Sequence, residues 1–225
     1  MSMPMPPNII SKISRVDKHY PLRLHDLYDA PSALYISGDA KLLRLPMVAI
    51  VGSRNASATG LKNAALFAHE LSKAGLLIIS GLARGIDGAA HRAVLDLCQP
   101  HFTAAVCGTG LDMVYPREHL GLAKAIGQQG LLISEFAPGV GPKAFHFPKR
   151  NRIIAALALG VVVVEATERS GSLITARIAA DLGREVFALP GPIHDPLFVG
   201  CNQLIQQGAK LVQTPKDVLD ELIFP

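Results

Sequence analysis

The sequence predicts an α/β fold, with a doubly wound, mostly parallel sheet covered by helices on both faces. Three observations lead to this prediction: short aliphatic runs recur along the chain, helical patterns separate them, and hydrophobic residues make up 49% of 225 residues. Such a composition is typical of a globular chain. Continuous aliphatic runs indicate strands buried on both faces, and their alternation with helices indicates right-handed βαβ units.

Six segments are predicted as strands because their apolar residues are contiguous and β-branched residues are frequent. Sequential strands of this kind pair in parallel when a helix connects them. In chain order, the predicted strands are Val48–Val51, Leu76–Ser80, Thr103–Cys107, Leu131–Ser134, Val161–Glu165 and Glu185–Leu189.

Helices are predicted between the strands, most clearly over Leu61–Leu71 and Ser172–Leu182. In both segments apolar residues recur at intervals of three and four, which places them on one face of a helix. Gly183 is positioned to end the second helix. Residues 1–45 are predicted as a lead-in segment packed on the core, with a strand and small helices, and residues 46–225 as the Rossmann-like, DNA-binding domain.

Charge, cysteines and hydropathy bound the class of protein. The net charge of +4 and the pI near 9.1 are compatible with nucleic acid but do not decide it. Cys98, Cys107 and Cys201 are widely spaced, which favours buried thiols in a reducing compartment over disulfides or a metal site. The apolar stretch Ile153–Val164 is shorter than the roughly 20 residues of a membrane span. With no recognisable secretory signal, a cytoplasmic protein without membrane contact is expected.

Four predicted strands open into small, glycine-bearing loops that precede helices. Ligands of such sheets bind beyond the carboxyl ends of the strands, where backbone N–H groups and helix N-termini attract anions. Glycine and serine also serve the turns themselves. Arg54 and Arg84, however, lie inside two of these loops, where a turn does not need a long cation. Together with Ser53 and Ser80, they are predicted to bind phosphates.

The densest basic segment is Phe145–Arg152, at the start of a predicted helix. Cations are unfavourable at a helix N-terminus, so an anionic partner explains them better than helix stability does. Phe147 is predicted to stack on a base, with a place in the core as the alternative. Arg150 and Arg152 are predicted to hold phosphates beside Arg54 and Arg84.

The enzyme signatures fail. No GxGxxG follows the first strand, and neither GxxxxGK[ST] nor GxSxG occurs. Asp87 and His91 lie one helical turn apart, but a helix cap and a packed histidine explain them better than catalysis. A nucleotide-processing phosphoribohydrolase is kept as the alternative function, because Glu135 and Glu165 follow strands and could act as a base. Its PGGxGT loop is absent, so this enzyme stays second to a binding function. No catalytic residue, cofactor or metal is predicted.

Seven motifs in order resemble the DNA processing protein A family, also called DprA or Smf. They are Val48–Arg54, Ser80–Asp87 with His91, Gly108–Asp112 with Tyr115-Pro116, Phe147–Ile154, Ser170–Thr175, Pro190-Gly191, and Gly200 with Asn202, Leu204 and Ile205.

The resemblance implies an extended Rossmann-like domain that binds single-stranded DNA during natural transformation. It further implies that the protein protects incoming DNA, loads the recombinase RecA and acts as a homodimer. No catalytic reaction is established for the family, so no enzyme is expected. A scaffold that contacts RecA without binding DNA is a third hypothesis. Many members carry an N-terminal helical domain and a C-terminal winged-helix-like domain, and neither is recognised in these residues.

The predicted DNA-binding residues come from the loops above and from the matching motifs. Those of the 170–175 segment are the weakest. The complete set is Gly52, Ser53, Arg54, Ser80, Gly81, Arg84, Gly85, Asp87, Phe147, Lys149, Arg150, Asn151, Arg152, Ser170, Gly171, Ser172 and Thr175.

Overall fold

The computed structural model describes residues 9–97 and 100–224 and the backbone of Met3–Pro4. Its strands are β1 Met3–Pro4, β2 Ser11–Ser14, β3 Ala33–Gly38, β4 Met47–Val51, β5 Leu77–Ser80, β6 Thr103–Val106, β7 Met113–Val114, β8 Leu131–Ser134, β9 Gly160–Val163, β10 Glu185–Ala188 and β11 Lys210–Leu211. Its α-helices are α1 Ala58–Lys73, α2 Ile86–Leu95, α3 Leu120–Gln129, α4 His146–Leu157, α5 Gly171–Asp181, α6 Val199–Gln206 and α7 Pro215–Leu219. Short 3-10 helices span Leu22–Asp26, Ala40–Arg44 and Arg117–His119.

Nine strands form one sheet in the order β11-β10-β9-β4-β5-β6-β8-β3-β2. The strands from β11 to β8 are parallel, and β3 and β2 add an antiparallel edge. All six predicted strands are present with ends within two residues, so the predicted α/β fold is confirmed. The chain leaves β4 toward β8 and returns to β9 on the other side of β4. The strand order therefore reverses between β4 and β9, where doubly wound sheets form a ligand crevice.

The sheet carries an apolar layer on each face, because successive side chains of a strand point to opposite sides. Val48 and Ile50 of β4 pack in one cluster with Phe67 of α1. Ala49 and Val51 belong to the opposite cluster with Ile153 of α4. Helices thus cover both faces of the sheet, and β4 is held in place by packing on both sides.

The N-terminal residues extend the same sheet, with two strands and two 3-10 helices where the sequence predicts one strand and small helices. β3 pairs antiparallel with β8. Tyr20 is buried and its hydroxyl donates to the carbonyl of Pro31 at 2.7 Å. Leu24 and Leu34 join the same apolar cluster as Ile153. The segment is therefore continuous with the core of the sheet.

The helix ends follow the chemistry of their sequences. Gly183 has φ +67° and follows the last residues of α5. Its N–H donates to Ala180, and that of Arg184 donates to Ala179, which is the Schellman arrangement. Gly183 therefore ends the helix as predicted, because a left-handed residue closes the last turn without a side-chain clash.

The described cysteines are free thiols in the protein interior. Cys107 and Cys201 are buried, and burial raises their pKa values to about 11 and about 12. Cys98 lies outside the described residues. Across residues 9–97 and 100–224, no helix has the length and apolarity needed to cross a membrane. No cluster of potential metal ligands occurs in that part of the chain.

His91 of α2 is completely buried. Its Nδ1 lies 2.7 Å from the Thr103 hydroxyl, which lies 2.8 Å from the carbonyl oxygen of Ile78. Because Thr103 donates its single proton to Ile78, His91 Nδ1 carries a proton and donates it. Nε2 has no hydrogen-bond partner among the described residues. Burial lowers the pKa of His91 to about 3, so the ring is neutral.

We expect His91 to make the fold sensitive to acid. Below its ordinary pKa of 6.5 the unfolded chain takes up a proton that the folded chain binds only near pH 3. The free energy of unfolding is therefore unaffected by His91 titration above pH 6.5. Between pH 6.5 and about pH 3 this titration lowers it by about 1.4 kcal/mol per pH unit. Denaturant unfolding between pH 4 and pH 7 should show this slope in the difference between wild type and His91→Gln. Parallel stability profiles for the two proteins would contradict it.

Candidate nucleic-acid interface

A groove of about 480 Å³ lies at the carboxyl ends of β4 and β9, at the reversal of strand order. We call it the polar groove. Three loops and the side of α4 form its walls, and the N-terminus of α5 borders it. Its lining residues are Val51, Gly52, Ser53, Arg54, Asn55, Ala83, Asp87, Arg150, Asn151, Ile154, Thr167, Ser170, Gly171, Ser172, Thr175 and Leu197.

The loop after β4 is held by the backbone on both sides. The N–H of Ser53 donates to the carbonyl of Glu165 at 2.7 Å, and the carbonyl of Ser53 accepts from Ile86 at 3.2 Å. A Cβ on Gly52 would lie 2.7 Å from the Ile86 side chain, so glycine is required there. Arg54 extends from this fixed loop as an exposed side chain at the edge of the polar groove.

The start of α1 is fixed by Glu165, which follows β9. Its carboxylate accepts from the N–H of Ser57 at 2.9 Å and from the Ser57 hydroxyl. Ser57 in turn caps the helix by accepting from the N–H of Gly60 at 2.9 Å. A Cβ on Gly60 would lie 2.3 Å from the carboxyl group, so the glycine makes room for Glu165. This carboxylate therefore serves the helix end and does not line the groove.

The loop after β5 is closed by Asp87. Its carboxylate accepts from the N–H groups of Gly81 at 3.1 Å and Ala83 at 3.2 Å. Gly85 stands at the N-cap of α2 without a side-chain cap, so the expectation that Asp87 caps this helix is wrong. Burial raises the pKa of Asp87, and the nearby charge of Arg150 opposes this shift. Asp87 shapes the loop and presents little free carboxylate to a ligand.

Ser80 has a structural role in the same region. It is fully buried, and its hydroxyl donates to the carbonyl of Ile50 at 2.6 Å. Its side chain does not reach the polar groove. The structure therefore does not place Ser80 where the sequence predicts a phosphate ligand.

Arg150 lies on the floor of the polar groove and is almost completely buried. Its guanidinium donates to the carbonyl oxygens of Gly81 and Val106, and Nε donates to the Asn151 side chain at 3.1 Å. Burial lowers the pKa of Arg150, while Asp87 opposes that shift. Arg150 thus joins the ends of β5 and β6, and most of its donors are already used inside the protein.

Lys149 and Arg152 lie away from the polar groove. Both approach the carboxylate of Glu135, at 3.2 Å and 2.6 Å respectively. Arg152 also lies 3.1 Å from Asp29. Successive residues of a helix point in different directions, so a run of cations does not share one face. The prediction that residues 149–152 line one groove together therefore does not match their placement.

Arg84 is paired as well. Its guanidinium binds both carboxylate oxygens of Glu118, with Nη2 at 2.9 Å from Oε2. Both side chains are exposed. The hydrogen bond from Arg84 holds the pKa of Glu118 well below its usual range, at about 2. The carboxylate is therefore charged at every pH at which the protein is expected to work.

A smaller pocket of about 50 Å³ adjoins the polar groove. Phe147 forms one wall of this pocket. Its side chain is half-buried, so it is neither a core residue nor fully exposed to solvent. The guanidinium of Arg54 lies 5.5 Å from its ring centroid, and the Tyr115 ring lies 5.2 Å away. The pocket is lined by Arg54, Gly81, Ala83, Arg84, Tyr115, Pro116, Phe147 and Arg150.

The start of α5 completes the polar groove. Ser170 caps the helix, because its hydroxyl accepts from the N–H of Ser172 at 3.3 Å. Asn151 donates to the carbonyl of Gly171 at 3.1 Å and so ties α4 to this turn. Thr175 is buried one turn further on and still lines the groove. Small polar groups and a helix N-terminus are a suitable surface for an anion.

The structure brings together most of the predicted residues and separates four of them. Ser80, Gly85, Lys149 and Arg152 line neither pocket. Asn55 and Thr167 line the polar groove without having been predicted, although they follow β4 and β9 closely and that position could have identified them. Leu197 and Tyr115 are distant in the chain, and only folding brings them to the pockets.

The fold and the groove define a Rossmann-like α/β protein with a polar, arginine-bearing crevice at the switch point of its sheet. Its sequence matches the profile described as DNA recombination-mediator protein A over residues 11–223. This chain belongs to that family, as the sequence motifs predict.

Known relatives agree with this assignment. The DNA processing protein DprA of Streptococcus pneumoniae is 50% identical over 94% of this chain and 74% of its own length. The protein Smf of Escherichia coli is 48% identical over 91% of this chain but 54% of its own length. The chain thus spans between about half and three quarters of these relatives.

Two solved structures have the same architecture. The crystal structure of S. pneumoniae DprA has a TM-score of 0.91, with 49% identity over 96% of this chain and 75% of that one. DNA processing protein A from Helicobacter pylori, whose structure is described as showing a single-stranded DNA binding mode, has a TM-score of 0.84. It is 30% identical over 94% of each chain. The molybdenum cofactor binding protein from Rippkaea orientalis shares the fold alone, with a TM-score of 0.56 and 16% identity.

Proposed function

We propose that this chain binds single-stranded DNA along the polar groove and the adjoining small pocket. The H. pylori relative, described as binding single-stranded DNA, has the same fold, which supports the proposal. Backbone N–H groups and the α5 N-terminus would hold phosphates, and Phe147 would stack on a base. The polar groove is lined mainly by loop residues, which suit a single phosphodiester backbone, so duplex DNA would fit poorly.

The proposal rests chiefly on one observation, the unpaired charge of Arg54. Of the five cations that the sequence predicts for the site, Arg84, Lys149 and Arg152 are in ion pairs, and Arg150 is bound to carbonyl oxygens. None of the ion pairs among the described residues includes Arg54, whose exposed guanidinium borders both pockets. An unpaired arginine at the junction of two polar pockets is suited to a phosphodiester.

We expect Arg54→Ala to weaken binding of oligo-dT by about ten- to a hundredfold, the effect of losing one charge-assisted hydrogen-bond contact. The log–log salt slope should fall by about 0.7, the value for one phosphate on a single strand. Fluorescence anisotropy with labelled oligo-dT at several salt concentrations measures both quantities.

Arg44→Ala is the matched control, because it removes an equal charge from an exposed residue just before β4. Arg44 thus lies at the amino end of this strand, whereas the polar groove lies at its carboxyl end. Its affinity should stay close to that of wild type. If Arg54→Ala binds oligo-dT as tightly as Arg44→Ala does, the groove is not the binding site.

We further propose that the chain is a binding protein and not a catalyst. Glu135 and Glu165, which could serve the phosphoribohydrolase alternative, are held in an ion-pair cluster and at a helix end outside the groove. Incubation with nucleoside monophosphates, followed by chromatography for free base, tests this. Release of base that is lost in a Glu135→Gln or Glu165→Gln variant would favour the enzyme.

Finally, we propose that this protein acts in natural transformation in the cytoplasm, protects incoming DNA, loads RecA and forms a homodimer. Family membership supports these roles. Light scattering of the purified chain measures its oligomeric state. Nuclease protection of bound oligo-dT and RecA filament assembly on it test the other two roles, with protein-free oligo-dT as the control.

A further inference from the structure

The pair between Arg84 and Glu118 joins two loops that are far apart in the sequence. Arg84 lies in the loop after β5 and lines the small pocket, and Glu118 lies 34 residues later in the 3-10 helix Arg117–His119. His119 is buried, and its Nδ1 donates to the carbonyl of Leu82 at 3.0 Å, two residues before Arg84. This hydrogen bond from the His119 side chain therefore holds the 3-10 helix that carries Glu118 beside the Arg84 loop, independently of the ion pair.

The geometry of this pair is that of an arginine bound to an oxyanion. Nε and Nη2 of Arg84 face the two carboxylate oxygens of Glu118, which is the fork that also accepts two oxygens of a phosphate. The two side chains are 59% and 49% exposed, and isolated surface pairs stabilise a fold little. The stability of the fold therefore explains the carboxylate of Glu118 poorly.

We propose that Glu118 occupies Arg84 in place of a phosphate and thereby lowers the affinity of this surface for the phosphodiester backbone of single-stranded DNA. This inference rests on the proposed function. A phosphate that approaches Arg84 must displace the carboxylate or remain beside its charge, and both are unfavourable. Arg54 then carries the phosphate contact next to the small pocket, while Arg84 stays bound to Glu118.

The inference has a signature in the salt dependence. A paired arginine releases few counterions from DNA on binding, so Arg84 contributes little to the slope of wild type. Removal of the carboxylate charge frees it, and one additional phosphate contact steepens the log–log slope by about 0.7. The charge of Glu118 is lost in Glu118→Gln, while the length and shape of the side chain are kept.

The experiment compares oligo-dT binding by wild type, Glu118→Gln, Arg84→Ala and the double variant. We expect Glu118→Gln to bind about three- to tenfold more tightly. Arg84→Ala should bind no more tightly than wild type, because it leaves the Glu118 carboxylate unpaired beside the small pocket. The double variant should lose the gain of Glu118→Gln. Glu70→Gln is the matched control, since it removes an equal charge from an exposed pair near the end of α1. Circular dichroism melting verifies that each variant is folded.

Three results would overturn the inference, and only the last of them also rejects the proposed function. Unchanged or weaker binding by Glu118→Gln, with normal binding by wild type, rejects the role of Glu118 alone. An equal gain in Glu70→Gln rejects it too, because net charge would then explain the effect. Absence of oligo-dT binding by all of the proteins rejects the proposed function, and the inference with it.

Discussion

Replacement of Arg150 by methionine is expected to lower the free energy of unfolding by about 3–5 kcal/mol, the cost of breaking a buried charge interaction by removing one partner. The carbonyl oxygens of Gly81 and Val106 would lose their donor. Asp87, whose pKa burial already raises, would lose the positive charge that opposes this shift. Urea unfolding at pH 7 measures the loss directly.

The double variant Arg150→Met with Asp87→Asn separates the causes. If the destabilisation comes from the uncompensated carboxylate, the double variant should be less destabilised than the sum of the two single changes, by about 0.5–3 kcal/mol. Arg150→Lys keeps the charge but loses the planar fork, so it should lie between wild type and the methionine variant. A normal unfolding energy for Arg150→Met, with DNA binding abolished, would instead identify Arg150 as a DNA ligand.

The second large effect is expected for Gly85→Ala. Gly85 has φ +68° and ψ −124°, a region that other residues rarely adopt. A Cβ there would lie 2.2 Å from the carbonyl oxygen of Ser53 and 2.8 Å from that of Arg54. Backbone strain and overpacking together should cost about 2–5 kcal/mol. Because the clash presses on the loop that carries Arg54, oligo-dT affinity should fall as well.

Gly183→Ala is the control for a positive φ without a steric contact. Gly183 has a similar φ of +67°, but no atom lies within 4 Å of the position that a Cβ would take there. This change should cost about 1 kcal/mol, the ordinary penalty for a left-handed residue with a side chain. Thermal or urea unfolding compares the two variants. Equal losses would show that the contact with the Ser53 loop has no energetic effect.

Much of the fold could be predicted from the sequence. The aliphatic runs such as Val48–Val51 locate the parallel strands, because strands buried on both faces need apolar residues at every position. The N-terminal strands were harder to define. β2 has the burial pattern of an edge strand, with Ile13 as its single buried residue, so no long apolar run marks it.

The candidate site could be predicted in part. Loops after β4, β5 and β9 were located from sequence, since strand ends of a parallel sheet meet at one edge. The direction in which each side chain points could not be predicted. Lys149 and Arg152 lie in the same part of α4 as Asn151, yet they pair with Glu135, while Asn151 lines the polar groove.

The sequence alone therefore determined the parallel strands, the carboxyl ends at which their loops gather and the family to which the chain belongs. Tertiary structure decided which cations remain available to a ligand. Arg84 is neutralised by a carboxylate 34 residues away, and Arg150 is bound by carbonyl oxygens at two strand ends. The physical reason is that strand burial follows from local composition, whereas the free charge of an arginine depends on the partners that long-range packing places around it.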